Sequence, residues 1–149
     1  MRHRCPDDVQ VREATSFEQQ VKGPWISVAC NHCFSPSCVS VCPTGAMHKR
    51  EDNGIVVHNA DICIGCRSCI MACPYGHPKY IESTGVILKC DMCAARLDQG
   101  DVPACVEACP VKVLTVGTVE ENEAAGGKPQ GVGFTIEETN PSTRFIPVS

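Results

Sequence analysis

Cys63-Ile64-Gly65-Cys66-Arg67-Ser68-Cys69-Ile70-Met71-Ala72-Cys73-Pro74 is the stretch from which the rest of this chain is read. Four cysteines stand at C-x2-C-x2-C-x3-C spacing, and a proline follows the last. A second set lies upstream, Cys30-x2-Cys33-x4-Cys38-x3-Cys42-Pro43, and a third downstream, Cys90-x2-Cys93-x11-Cys105-x3-Cys109-Pro110. All three share one outline: C-x2-C, a variable gap, then C-x3-C-P. This is an internal repeat whose first cysteines fall 33 and then 27 residues apart.

The intervening segments repeat as well. After Pro43 come Ala46-Met47-His48-Lys49, Asp52-Asn53-Gly54 and Ile55-Val56-Val57, which predict a hairpin turning at Asn-Gly. After Pro74 come Pro78 to Glu82, Ser83-Thr84-Gly85 and Val86-Ile87-Leu88, a second predicted hairpin. Residues 111–116 read as a single strand ended by Gly117. Ala94 to Gln99 suits a short helix with Gly100 past its end. At the front, Ser16 is a candidate helix cap and Trp25 to Ala29 alternates like a strand. Glu120 to Pro129 reads as a flexible acidic linker, and the end as an extended tail that needs a surface to lie on. The fold class predicted is α+β, ferredoxin-like, built of tandem cluster-binding repeats with short helices and β-hairpins. Its expected domains are 1–24, a remnant of a first cluster motif; 25–117, the cluster-binding domain; and 118–149, linker and docking tail.

The spacing points to iron–sulfur chemistry. Each iron of a [4Fe-4S] cluster takes a soft thiolate, and a loop with cysteines three apart wraps three corners. The last two cysteines of each set are i and i+4, so on a helix they lie one turn apart on one face. The fourth is carried toward a neighbouring cluster, and the proline after it ends the helix. Two such sets exchange their last ligands, as in two-cluster ferredoxins. The expected ligands are therefore Cys30, Cys33, Cys38 and Cys73 for one cluster and Cys63, Cys66, Cys69 and Cys42 for its partner. Cys90, Cys93 and Cys105 need a fourth ligand, for which Cys5, also followed by proline, is the remaining candidate. Cys109 then belongs to a further cluster whose other three ligands are missing.

Composition narrows the alternatives. Thirteen cysteines in 149 residues is an odd number, which rules out complete internal disulfide pairing. A C-x2-C-x2-C-x3-C-P run is also hard to explain by bridges. A four-cysteine zinc site is the rival for the third set taken alone. With one Trp, two Tyr and four Phe, the core needs another source of cohesion. A net charge of -4 gives no reason to expect a nucleic-acid partner. No apolar run approaches the roughly 18 residues of a membrane span, and no signal-peptide pattern is present. His3, His32, His48, His58 and His77 lack metal-ligand spacing and read as surface or hydrogen-bonding residues. Arg67 and Lys89 stand beside cluster cysteines, either as solvated charges or as groups that tune potential. Tyr75 and Tyr80 read as packing residues. No nucleophile–base pair or phosphate loop is visible, so no substrate chemistry is expected within this chain.

Residues Cys30-Asn31-His32-Cys33, Val41-Cys42-Pro43-Thr44-Gly45-Ala46-Met47-His48-Lys49-Arg50-Glu51-Asp52, Cys63-Ile64-Gly65-Cys66-Arg67, Ala72-Cys73-Pro74-Tyr75-Gly76, Lys89-Cys90-Asp91 and Val106-Glu107-Ala108-Cys109-Pro110 resemble the iron–sulfur subunit of dimethyl sulfoxide reductase-type molybdoenzymes. The likeness covers about residues 25–117. It implies an electron conduit with four [4Fe-4S] clusters in two ferredoxin-like pairs. The implied partners are a molybdopterin catalytic subunit and a quinol-oxidising membrane anchor, so the implied location is at a membrane through those partners. Some relatives replace the third cysteine of the middle set and carry three irons there; Cys69 is present, so four are expected. The departure is at the front, where the family carries another full cysteine set and this chain has only Cys5. The expectation is that the front is missing or that one cluster was lost, leaving three at most. The other functional reading is a free-standing soluble polyferredoxin carrier.

Overall fold

The computed structural model describes residues 29–110, 112–129 and 138–145. Helix α1 (Ser37–Ser40) leads to Pro43, and a hairpin of β1 (Met47–Lys49) and β2 (Val56–His58) follows. Helix α2 (Ser68–Ala72) leads to Pro74, and β3 (Lys79–Ile81) and β4 (Val86–Leu88) follow. Both hairpins are antiparallel, with Met47 opposite His58 and Tyr80 opposite Ile87. Then come α3 (Ala94–Leu97), α4 (Ala104–Ala108) and α5 (Val119–Ala124). Short helices and small hairpins are an α+β arrangement consistent with a ferredoxin-like fold.

The two hairpins close alike. Gly54 N–H donates to Arg50 O at 3.1 Å, and Gly85 N–H to Ile81 O at 2.8 Å. Each glycine takes a positive φ, +71° and +73°, the left-handed end of a longer hairpin loop. The Asn53-Gly54 pair thus turns the chain as read, through a loop of several residues rather than a two-residue turn. Asn53 Oδ1 accepts from Ile55 N–H at 3.1 Å and holds that loop.

The core is small. Met47, Val56, Ile87 and Cys69 are buried together, and Cys38, Cys42 and Cys63 pack against them with Val39, Ile70 and Tyr80. Both strands of each hairpin thus meet the inward thiols of α1, α2 and the loop before α2, and cysteines make up much of the packed centre.

The first cysteine loop is pinned from several directions. His32, with φ +41°, accepts the Val56 N–H at Nδ1 over 3.1 Å. It is only 3 % exposed. Burial and the charge of Lys89 lower its pKa to about 3, so the ring is neutral. The surface reading of this histidine is therefore corrected, and the hydrogen-bonding one is observed. Lys49 Nζ donates to the carbonyls of Cys33 and Phe34 at 3.1 and 3.0 Å.

Three expectations change toward the C-terminus. Of the strand expected at 111–116, the described residues 112–116 join no ladder, Lys112 is left-handed at φ +53°, and a strand needs a partner. The acidic segment is not a linker throughout: Val119–Ala124 is helical, started by a capping box in which Glu121 N–H donates to Thr118 Oγ1 at 3.2 Å and Thr118 N–H to Glu121 at 2.8 Å. The described part of the tail, 138–145, lies on this chain's own first cysteine loop. Gly100 ends its helix as read, at φ +83°. The expected helix capped by Ser16, and all but Ala29 of the strand 25–29, lie outside the described residues.

Candidate metal centre

The two helices explain how loops so far apart in sequence share thiols. Helix α1 packs on α2. Cys38 lies within α1, and Cys42 just past its C-cap, Val41; Cys69 lies within α2 and Cys73 is its C-cap. On each helix the earlier cysteine faces its own loop, and the later one reaches the neighbouring loop.

The thiols consequently form two groups. Burial raises the Cys33 thiol, and Cys30 and Cys73 raise it further by their charge. Cys38 is pushed up to about 11, first by burial, then by Cys30, Cys73 and Cys33, against the opposing charge of Lys89. Cys30, Cys33, Cys38 and Cys73 are therefore electrostatic neighbours. In the second group burial raises Cys69, helped by Cys66, Cys42 and Cys63. Cys42, Cys63, Cys66 and Cys69 line one apolar cavity with Ala46, Met47 and Ile87, about 290 Å³ free of protein atoms and open to solvent. The exchange of last ligands expected from the sequence would draw on these same neighbours, Cys73 beside the Cys30 loop and Cys42 beside the Cys63 loop.

The second group has donors aimed at sulfur. Burial would raise the Cys42 thiol, but Met47 N–H, 3.3 Å from Sγ, and the Thr44 hydroxyl at 3.8 Å bring it below its ordinary value. The Ser68 hydroxyl and amide lower Cys66. Such contacts stabilise thiolate, the form that binds iron. Gly65 sits in the same loop at φ +65°, and a Cβ there would lie 2.2 Å from Gly85 O. The cysteine loop thus touches the β3–β4 turn directly. Arg67, at φ +64°, rests its guanidinium 3.8 Å from the centre of the Tyr80 ring. Neither reading for Arg67, solvated charge or group tuning the potential, included this cation–π pair.

Lys89 is no solvated charge. Its Nζ donates to Val56 O and, at 2.6 Å, to Cys90 O. From there it acts on Cys38, Cys90, His32, His58 and His77.

The third set is held differently. Arg96 of α3 pairs with Glu107 of α4 at 2.7 Å, and Asp98 receives a two-pronged bond from Arg50 at 2.8 and 3.0 Å. Cys93 precedes α3 in a left-handed conformation, and Cys105 is exposed on α4. The Cys90 thiol, raised by burial, has Cys30 as a charged neighbour. Cys109 is buried at the end of α4. Cys5 lies outside the described residues, so the completion of this set rests on sequence.

The donor chemistry fits the group that the sequence implies. Cys30 through Cys105, eleven cysteines, carry free thiols. Among the described residues no three Cys, His, Asp or Glu side chains close on one point as a lone ion requires. A zinc ion holds its thiolates at about 2.3 Å, whereas the second group rings a space. Sequence reading missed Thr44, the Met47 amide and the neighbourhood of Cys30 and Cys90. A C-P-T-G run carried a weak signal for Thr44; the other two carried none.

Comparison with known proteins agrees. Residues 21–119 match the family described as "4Fe-4S dicluster domain". The sequence is 52% identical over 105 residues to the B subunit of the anaerobic dimethyl sulfoxide reductase of Escherichia coli (strain K12), an alignment covering 70% of this protein and 51% of that one. It is 48% identical over 101 residues to the thiosulfate reductase electron transfer subunit PhsB of Salmonella typhi, covering 66% and 52%. It is 44% identical over 110 residues to the hydrogenase-2 operon protein HybA of Escherichia coli O157:H7, covering 70% and 34%. The match spans about half the length of the first of these relatives.

Proposed function

The chain belongs to the 4Fe-4S dicluster family as an iron–sulfur subunit of the dimethyl sulfoxide reductase type, and from that footing we propose that it relays single electrons between a quinol-oxidising membrane anchor and a molybdopterin catalytic subunit. The observation that supports this reading is the packing of α1 on α2, with Cys73 a neighbour of Cys33 and Cys38 and Cys42 a neighbour of Cys69. When bound, [4Fe-4S] clusters supply one-electron redox centres. The chain's own residues hold and tune them. Cys30, Cys33, Cys38 and Cys73 serve one cluster; Cys63, Cys66, Cys69 and Cys42 serve the next. Cys90, Cys93 and Cys105, with Cys5, serve a third, and Cys109 serves a further one. Residues 25–117 form the tandem-repeat domain, and 118–149 the linker and C-terminal docking tail. Cys66 is exposed and Ile64 beside it is 66 % exposed, which leaves the second site near the surface where a partner can exchange electrons. Among the described residues no helix is long and apolar enough to cross a membrane, so attachment is through the anchor.

A free-standing polyferredoxin carrier is the second reading. It is favoured by residues 138–145, which lie on their own chain and so need no partner as their support.

The test uses the full chain loaded anaerobically with iron and sulfide. Cys73→Ser removes the cluster of the Cys30 loop, and Cys42→Ser that of the Cys63 loop, each with about four irons. Each variant losing its own loop's cluster instead overturns the crossing. Adding the loaded chain to the anchor and catalytic subunit restores quinol-driven reduction. Equal electron delivery to unrelated acceptors supports the carrier.

A further inference from the structure

Residues 138–145 cross the first cysteine loop as a strap. Phe34 and Ser35 donate N–H to the carbonyls of Asn140 and Thr139 at 2.8 and 3.0 Å. Ser142 donates its N–H to Asn31 O at 3.0 Å and its hydroxyl to His32 O at 2.7 Å. The Thr143 hydroxyl donates to Asn31 Oδ1 at 2.6 Å, and Pro141 is buried. Every residue from Asn31 to Ser35 except Cys33 is bonded by the strap through main chain or side chain.

At Cys33 the strap brings Thr139, which is 5 % exposed. Its hydroxyl is buried and has no hydrogen-bond partner among the described residues. It lies against the Cys33 thiol, where it offsets the effect of burial. A buried hydroxyl left without an acceptor is costly, and the sulfur of Cys33, once a thiolate ligand, is the acceptor the strap brings it beside.

We propose that Thr139 is a positioning residue that donates a hydrogen bond to the Cys33 thiolate and raises the reduction potential of the cluster held by Cys30, Cys33, Cys38 and Cys73. This rests on the ligand set proposed above. Reduction adds an electron to a centre whose charge is spread onto its sulfurs, so a donor at sulfur favours the reduced state, and more strongly where water is excluded.

The experiment is a redox titration of the loaded full chain followed by electron paramagnetic resonance. Cys33→Ser identifies the signal of this cluster. Thr139→Val, nearly the same shape without the donor, lowers the reduction equilibrium constant about tenfold, a shift of about 59 mV for one electron, at unchanged iron content. Thr139→Ser keeps the parent value. Should Val reduce cluster loading, Thr139→Ala against Thr139→Ser decides, because both lack the methyl and differ only in the hydroxyl. A potential unmoved in Thr139→Val, or equal shifts in the Ala and Ser variants, overturns the proposal while leaving the ligand set intact. A parent signal that survives Cys33→Ser overturns the ligand set itself.

Discussion

Gly65 and Gly76 make an internally controlled experiment. Both have left-handed φ, +65° and +63°, and each stands close to a ligand cysteine. A Cβ at Gly76 meets nothing within 4 Å, whereas a Cβ at Gly65 lies 2.2 Å from Gly85 O and 3.4 Å from the Tyr80 ring. Alanine at Gly76 therefore costs only backbone strain, about 1–2 kcal/mol, part of it offset by the stiffer unfolded chain. Alanine at Gly65 carries the same strain and a collision with main chain, which cannot rotate away as a side-chain tip can. Either the Cys63–Cys66 loop or the β3–β4 turn must shift, at a further cost of about 1–3 kcal/mol by analogy with overpacked cores. The assay is the rate at which the loaded chain loses its visible iron–sulfur absorption in urea, since cluster loss is irreversible and a rate is the proper measure. An added 2 kcal/mol felt at the barrier is about a thirtyfold faster loss. Gly65→Ala is expected to bleach about thirty times faster than Gly76→Ala. Equal rates in the two variants would falsify the claim that contact between loop and turn holds this site.

The titratable groups and the small apolar core lead to three more tests. His32 falls from 6.5 to about 3 on folding, worth at most about 5 kcal/mol. Because its folded value is depressed, that stability is complete above pH 6.5 and drains away as pH falls toward 3. A His32→Asn variant shows a flatter loss over this window in urea titrations; a slope matching the parent's counts against the buried neutral ring. Lys89→Met removes a cation that acts on Cys38 and Cys90, and the potential of the cluster served by Cys38 is expected to drop by about 59 mV, a tenfold change. No shift in the titration rejects that role. Stripping the metal with chelator and reductant removes the crosslink between α1 and α2 and unfolds the domain. An apo-chain with unchanged far-UV circular dichroism contradicts this.

Much of the site was legible because cluster ligation is a local demand repeated. Cys63, Cys66 and Cys69 must sit on one tight loop, and Cys73 one helical turn beyond, so the spacing is written into a single short run of sequence. The hairpins were legible for a similar reason, since Gly54 and Gly85 supply the left-handed residue that each turn requires. The strand expected at 111–116 is absent among its described residues because extended propensity needs a ladder partner. Helix α5 was missed although Thr118 and Glu121 stand at capping-box spacing, because its acidic composition outweighed that cue.

By itself, then, the sequence determined the chemistry, iron–sulfur ligation by cysteine, and it supplied the grouping by fours and the exchange between neighbouring sets as the proposal to be tested. Only the tertiary structure decided what surrounds the sulfurs. Thr139 comes to Cys33 from more than 100 residues away, Lys89 reaches the Val56 carbonyl, and His32 accepts the Val56 amide. No spacing rule ties those residues to the thiols they face. The physical reason is range. Chelation is set within a single loop, whereas burial, charge and hydrogen bonding at sulfur depend on which distant segment the fold lays against that loop.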